Sequence, residues 1–235
     1  MSDNKWHEII SKLLAKAEDY ATTNDERETI QEKVLYLMAK FSIDQAVFDA
    51  GQKKEYKVIS VRYRIVAPYV NQKALLLNGI ATAFGSQLLE LNKGLYVMYG
   101  HEDDQEKVFM LYNSLLIQMY SAMATAWDSK PHYEHGKTFN TSFVNGYVRA
   151  VINRVKAAYI KAQADVQETT TGTDLVLRNR VVAVQEMFSR DYPNTHIVKT
   201  SSTSRSATGG AAGRTAGQNA DIGQTTIGGR KMIGG

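Results

Sequence analysis

Leu95-Tyr96-Val97-Met98-Tyr99-Gly100-His101-Glu102-Asp103-Asp104 reads as a strand, a tight glycine turn and the start of a helix. A run of β-formers ends at Gly100. Glu102, Asp103 and Asp104 then set carboxylates where a helix N-terminus offers unpaired N–H groups and partial positive charge. From there Val108, Leu111, Tyr112, Leu115, Leu116, Met119, Ala122, Met123 and Ala126 keep the three-and-four spacing of a helix with one wide buried face. At 1.5 Å per residue, about twenty residues make a rod of about 30 Å, the span of a small domain. The rest of the chain is expected to pack against it. A glycine turn before a helix can also bind phosphate, but three acids stand where the anion would sit, and neither GxGxxG nor GxxxxGK[ST] is present.

Upstream, residues 55–66 alternate. Tyr56, Val58, Ser60, Arg62 and Arg64 share one face, and Lys57, Ile59, Val61, Tyr63 and Ile65 the other, as in a half-buried strand closed by Pro68. Residues 71–84 predict a short helix ended by Gly85, and 87–91 with 95–99 a hairpin turning at Asn92-Lys93-Gly94. The order strand, helix, strand, strand, long helix predicts a small α+β layer with helices on one side of a mainly antiparallel sheet. Arg62 and Arg64 flank Tyr63, but sheets that read RNA need aromatics on the same exposed face as the charges, and Tyr63 points the other way.

At the N-terminal end, Trp6, Ile9, Ile10, Leu13, Leu14 and Ala17 predict an amphipathic helix over 4–20. Thr23-Asn24-Asp25-Glu26 fits a capping box, and a second helix runs to about Phe41 with Ile30, Val34, Leu37, Met38 and Phe41 buried. The pair is a helical hairpin. As a DNA-reading helix-turn-helix it fails on charge, because Glu26, Glu28 and Glu32 offset Arg27, Lys33 and Lys40.

Downstream, residues 128–137 form a loop holding His132-Tyr133-Glu134-His135. His132 and His135 are candidate metal ligands, although HExxH is absent and HxxH in a loop does not put both imidazoles on one helix face. A helix follows over about 139–163, with Phe143, Tyr147, Val151, Val155, Ala158, Tyr159 and Ala162 inward. Gly146 inside it costs about 1 kcal/mol relative to Ala, which points to a close helix crossing. After the polar break at 169–173, residues 174–180 lead into a helix through Phe188, which Tyr192-Pro193-Asn194 ends, and a short strand is expected over 195–200. From Ser201 the composition turns to Ser, Thr, Gly and Ala. Residues 207–220 predict a thin helix in which Gly213 and Gly217, four apart, allow close packing, and 223–235 has little to bury.

Lys12-Leu13-Leu14-Ala15-Lys16-Ala17, Thr23-Asn24 with Glu26, and Leu37-Met38-Ala39-Lys40-Phe41-Ser42-Ile43 resemble the N-terminal signature of an uncharacterised bacterial and phage family, a domain of unknown function. Its members begin KLLAKA, continue through T-x-N-E and end LMAKYGI. The resemblance is specific over about 5–45. It is looser through Gly100-His101-Glu102, Ser142-Phe143-x-x-Gly146-Tyr147 and 207–223, and Asp25 stands where the family often has Glu. It implies a recurring architecture and frequent occurrence in mobile genomes, with no catalytic residues to carry over.

The fold class expected is therefore α+β: an N-terminal helical hairpin (1–50), a core of long helices on a small mainly antiparallel sheet (51–200), and a flexible Gly/Ser/Thr-rich basic tail (201–235). The chain has 43% hydrophobic residues, enough for a sizeable core, and no Cys, which excludes disulfides and thiol chemistry. The absence of an apolar span or a leader pattern predicts a cytoplasmic protein, in the host cell if phage-encoded, with no membrane partner. Residues 1–129 carry 14 basic and 17 acidic side chains, a net of −3, and 130–235 carry 14 and 7, a net of +7. That asymmetry suits a polyanion-binding face. The tail after Tyr192 lacks aromatics for base stacking.

The first functional reading is a non-enzymatic accessory protein of a phage or mobile element that binds nucleic acid or a nucleoprotein partner. Its candidate contacts are Arg149, Arg154, Lys156, Arg178, Arg180, Lys199, Arg205, Arg214, Arg230 and Lys231. The alternatives are a protein-interaction or virion-assembly component whose tail orders on a partner or sister subunit, and a metal-dependent enzyme at His132 and His135. No nucleophile elbow or local triad is present, and no cofactor is implied.

Overall fold

Leu95–His101 is the middle strand of a three-stranded antiparallel sheet in the computed structural model, which describes residues 12–13, 24–51, 57–195 and 205–220. In chain order the elements are α1 (Asn24–Gly51), β1 (Val58–Arg64), α2 (Val70–Ala83), β2 (Gln87–Asn92), β3 (Leu95–His101), α3 (Glu102–Asp128), α4 (Gly136–Thr169), α5 (Thr173–Asp191) and α6 (Ala207–Gln218). The class is α+β, and the sheet order is β1-β3-β2. Among the described residues no helix is long and apolar enough to cross a membrane.

β1 pairs with β3 from Val58 opposite His101 to Arg64 opposite Leu95. The β2–β3 turn uses Gly94 at φ 80, a left-handed conformation that glycine adopts without a Cβ clash. Tyr96 and Met98 point into the main core, and Tyr63 stacks on Phe109 of α3 with ring centroids 3.9 Å apart. Arg62 and Arg64 lie exposed on the other face, as the alternation predicts.

That other face is not left to solvent. Val97 and Tyr99 are buried beneath α5, where Val184, Met187, Phe188 and Tyr192 cover them, so helices lie on both sides of the sheet and not on one. The Tyr99 hydroxyl donates to Asp191 at 2.9 Å, and its ring meets Phe188 edge-on at 5.6 Å. The cause is in β3 itself: successive side chains on both faces are apolar, the pattern of a strand covered twice.

α1 extends ten residues beyond the expected end at Phe41, since nothing before Gly51 breaks it. Ile30, Val34 and Met38 form one face, against which Leu13 packs. Lys12 and Leu13 are helical, and the rest of the expected 4–20 helix lies outside the described residues. A second face, Leu35, Ala39 and Ile43, packs on the core, with Ala39 and Ile43 meeting Ala162 and Val166 of α4. The Tyr36 hydroxyl donates to Asp165 at 2.7 Å, tying α1 to α4.

α4 starts at Gly136 and runs to Thr169, longer at both ends than expected. Phe143, Val144, Tyr147, Val148, Val151 and Val155 fill the core, and the Tyr147 hydroxyl donates to the Leu115 carbonyl of α3 at 3.1 Å. Beside this core face α4 also carries α6. Gly209, Gly213 and Gly217 of α6 lie over Phe139, Phe143 and Tyr147 in the same order, so the two helices run parallel. A Cβ at Gly213 would overlap the Phe143 carbonyl, and one at Gly146 would overlap the Gly210 carbonyl. The crossing expected from Gly146 and the close packing expected from Gly213 and Gly217 are thus one interface. Within the 201–235 tail, residues 207–218 are this docked helix. Residues 196–204 and 221–235 lie outside the described residues, and with them all but the first residue of the strand expected over 195–200.

Gly213→Ala is expected to destabilise the protein by about 1–3 kcal/mol, because the new methyl meets backbone that cannot rotate away. Ala211→Ser, on the exposed side of α6, is expected to be neutral, and thermal denaturation of the two variants checks the contrast.

Candidate functional site

Both ends of α6 are held by charged groups from elsewhere. At its N-terminus Ser206 accepts from the Gly209 amide at 2.9 Å and donates to Glu134 at 2.6 Å, while the Thr208 hydroxyl donates to the same carboxylate at 2.6 Å. Ser142 of α4 accepts from the amides of Arg205 and Ser206 at 3.1 and 3.0 Å. At the C-terminus Arg154 donates from Nη1 to the carbonyls of Gly217 and Ala220, at 3.1 and 2.7 Å. An anion at the start and a cation at the end both complement the helix dipole. The two hydroxyls donating to Glu134 hold its carboxyl below the usual glutamate range. Glu134, between the candidate metal ligands His132 and His135, is therefore engaged with α6. Among the described residues no group of three or more His, Cys, Asp or Glu is placed to hold a metal ion.

A second polar cluster lies where α3 begins. Asp104, the last acid of the helix start, is buried and accepts from Arg180 Nη2 of α5 at 2.6 Å. Lys107 approaches the same carboxylate at 3.4 Å and donates to Ser42 of α1 at 2.6 Å. His101 Nε2 donates to the Arg180 carbonyl at 3.1 Å, and burial, helped by the nearby guanidinium, pushes the imidazole pKa down. Three elements far apart in sequence are joined here, and charge pairing makes burial of the ions tolerable.

Beside this cluster opens a cleft of about 520 Å³ between the end of α2, the outer half of α4 and the start of α5. Asp104 and Arg180 line it, with the Tyr159 ring, whose hydroxyl pKa burial raises. Ile160 and Val181 form apolar walls although they are 67% and 46% exposed. Lys156 and Arg178 are exposed cations on it, and among the described residues neither makes an ion pair. Asp174, which accepts from Gln167 and from Gln163 at 3.4 Å, adds a carboxylate.

The ten candidate basic contacts separate into three groups. Arg154 and Arg180 act inside the fold, one on the end of α6 and one on Asp104. Arg149, Lys156, Arg178, Arg205 and Arg214 are exposed on α4, α5 and the α6 region. Lys199, Arg230 and Lys231 lie outside the described residues. Arg149 and Lys156 are seven residues apart, hence on the same side of α4 and about 10 Å apart along it. Arg214 passes directly over Gly146, one turn before Arg149. Sequence reasoning missed the cleft. The available signal was Ile160, an apolar residue off the inward stripe of its helix.

The Glu134 latch sets a pH dependence. A carboxyl whose folded pKa lies below its unfolded value stabilises fully above the ordinary range of about 4 and loses that contribution as pH falls through the lower, folded value. Hydrogen-exchange protection of the α6 amides is expected to fall on acidification below that range. In Glu134→Gln it should already be reduced at neutral pH and should lose most of this dependence.

No curated protein and no solved structure matches the chain. Over residues 7–45, comprising the N-terminal segment and most of α1, the chain matches the family model described as Protein of unknown function (DUF2786).

Proposed function

We propose that the protein is a non-enzymatic accessory factor of a phage or mobile element that binds nucleic acid, or a nucleoprotein, across the outer face of the α4–α6 pair. One observation carries the reading: residues 136–164 and 205–220 contain seven basic side chains and no acidic one, the acids of α4, Asp165 and Glu168, falling near its C-terminal end, where Asp165 accepts from Tyr36 of α1. Arg154 is turned inward. Arg149, Lys156, Arg205 and Arg214 remain on the outside, and Arg178 continues the line onto α5. A solvated face usually mixes both signs. A face of one sign attracts phosphates and releases their counterions on binding, so affinity should fall steeply with salt.

Binding of the full chain to DNA and RNA at two salt concentrations tests this. Retention at low salt that weakens as salt rises is expected, and Arg149→Ala, Lys156→Ala and Arg214→Ala should each lower the salt slope by about one. Retention indifferent to salt, or none at low salt, removes the phosphate mechanism.

A second reading, an assembly component, is favoured by α3. Its residues 108–127 hold no charged side chain, and Ile117 and Trp127 stand 68% and 44% exposed. If this face self-associates, light scattering will show a mass that rises with concentration in the native chain and stays monomeric in Ile117→Glu.

A further inference from the structure

We propose that the cleft between α2, α4 and α5 receives one unpaired base of a single strand whose phosphates follow the cations of α4 and α6. This rests on the polyanion reading and adds to it the class of nucleic acid. The two surfaces meet at Lys156, which stands on the same side of α4 as Arg149 and also lines the cleft.

The cleft has the parts that a nucleotide needs. Its volume of about 520 Å³ lies within the range of small-molecule sites, about 300–1,000 Å³. Ile160 and Val181 offer apolar surface to the faces of a ring, and they are exposed beside the cleft, where fold packing alone does not require large aliphatic side chains. Tyr159 supplies an aromatic ring, packed edge-on against Phe84 at 5.6 Å. Lys156 and Arg178 are exposed point charges for a flanking phosphate. Gln163 and Asp174, bonded to one another at 3.4 Å, bring further donor and acceptor positions suited to a base edge. A base inside a duplex is stacked on both faces and paired along its edge, so only an unpaired one can enter a concave site of this kind. Aromatic and apolar contacts of this sort tolerate any base, so the preference should be for single strands over duplexes with little regard to sequence.

The test compares an oligothymidylate with a duplex of equal length, using the full chain and two variants. Thr82→Trp, at an exposed position lining the cleft, places a ring in it without changing charge, and Ile160→Ser removes an apolar wall from another exposed position. Unchanged melting temperatures establish that both variants fold. The expected result is tighter binding of the single strand, reduced about tenfold in each variant, with duplex affinity and salt slope unaltered. Equal affinity for the two polymers, or single-strand binding indifferent to both substitutions, overturns the cleft assignment and leaves the polyanion reading standing. Failure of both polymers to bind at low salt defeats the polyanion reading itself, and the assignment with it. Thymidine monophosphate forms the third arm: binding that Thr82→Trp abolishes, beside strand binding that it leaves unchanged, makes this a site for free nucleotides and overturns the strand assignment.

Discussion

The contact between α4 and α6 is made by main chain against main chain, and the surface of the molecule is arranged around it. Four glycines, Gly146 on one helix and Gly209, Gly213 and Gly217 on the other, remove the side chains that would hold the axes apart. Carbonyl oxygens then lie against Cα groups, a geometry in which weak C–H···O contacts and dispersion replace side-chain interdigitation. The apolar contacts that α6 adds come from small side chains, Ala212 and Ala216. At its ends α6 is held as well: Ser206, itself bonded to Glu134 and Ser142, accepts from the Gly209 amide, and Arg154 donates to the Gly217 carbonyl, both among the groups that a helix leaves open.

This division explains why charge count and charge use differ. Arg154 and Arg180 look, as letters, like the surface cations near them. Each instead meets a buried need, one the free carbonyls at the end of α6 and the other the carboxylate of Asp104. Asp104 has two roles, as an acid in the first turn of α3 and as the partner that secures α5 over the sheet. Because α5 is secured there, Arg178 and Val181 stand across the cleft from α4, and a gap remains between the helices where a continuous core would otherwise close.

Much of the scaffold was legible because its signals are local. The β-formers before Gly100 and the acids after it mark β3 and α3, Gly94 marks the hairpin, and a glycine within a helical stripe marks the crossing at Gly146. What was not legible depended on partners distant in sequence. The apolar residues of β3 on both faces do not say which element covers the second one, and α5, which lies over Val97 and Tyr99, is about eighty residues further along the chain. The length of α1 was hidden because its second face is built partly from alanines, Ala39 and Ala46, which carry little hydrophobic signal. The roles of Arg154 and Arg180, and the cleft itself, arise from elements tens of residues apart, and no spacing rule reaches that far.

The composition of α6 also decides how the molecule comes apart. Four of its twelve residues are glycine, which costs an isolated helix about 4 kcal/mol relative to alanine, and twelve residues are too few to sustain a helix in water. Its helicity is therefore lent by α4. The segment cannot swing away as a rigid arm and can leave only by melting, so departure from α4 and loss of helix are one cooperative event. Such an event has its own opening free energy, which cannot exceed that of global unfolding.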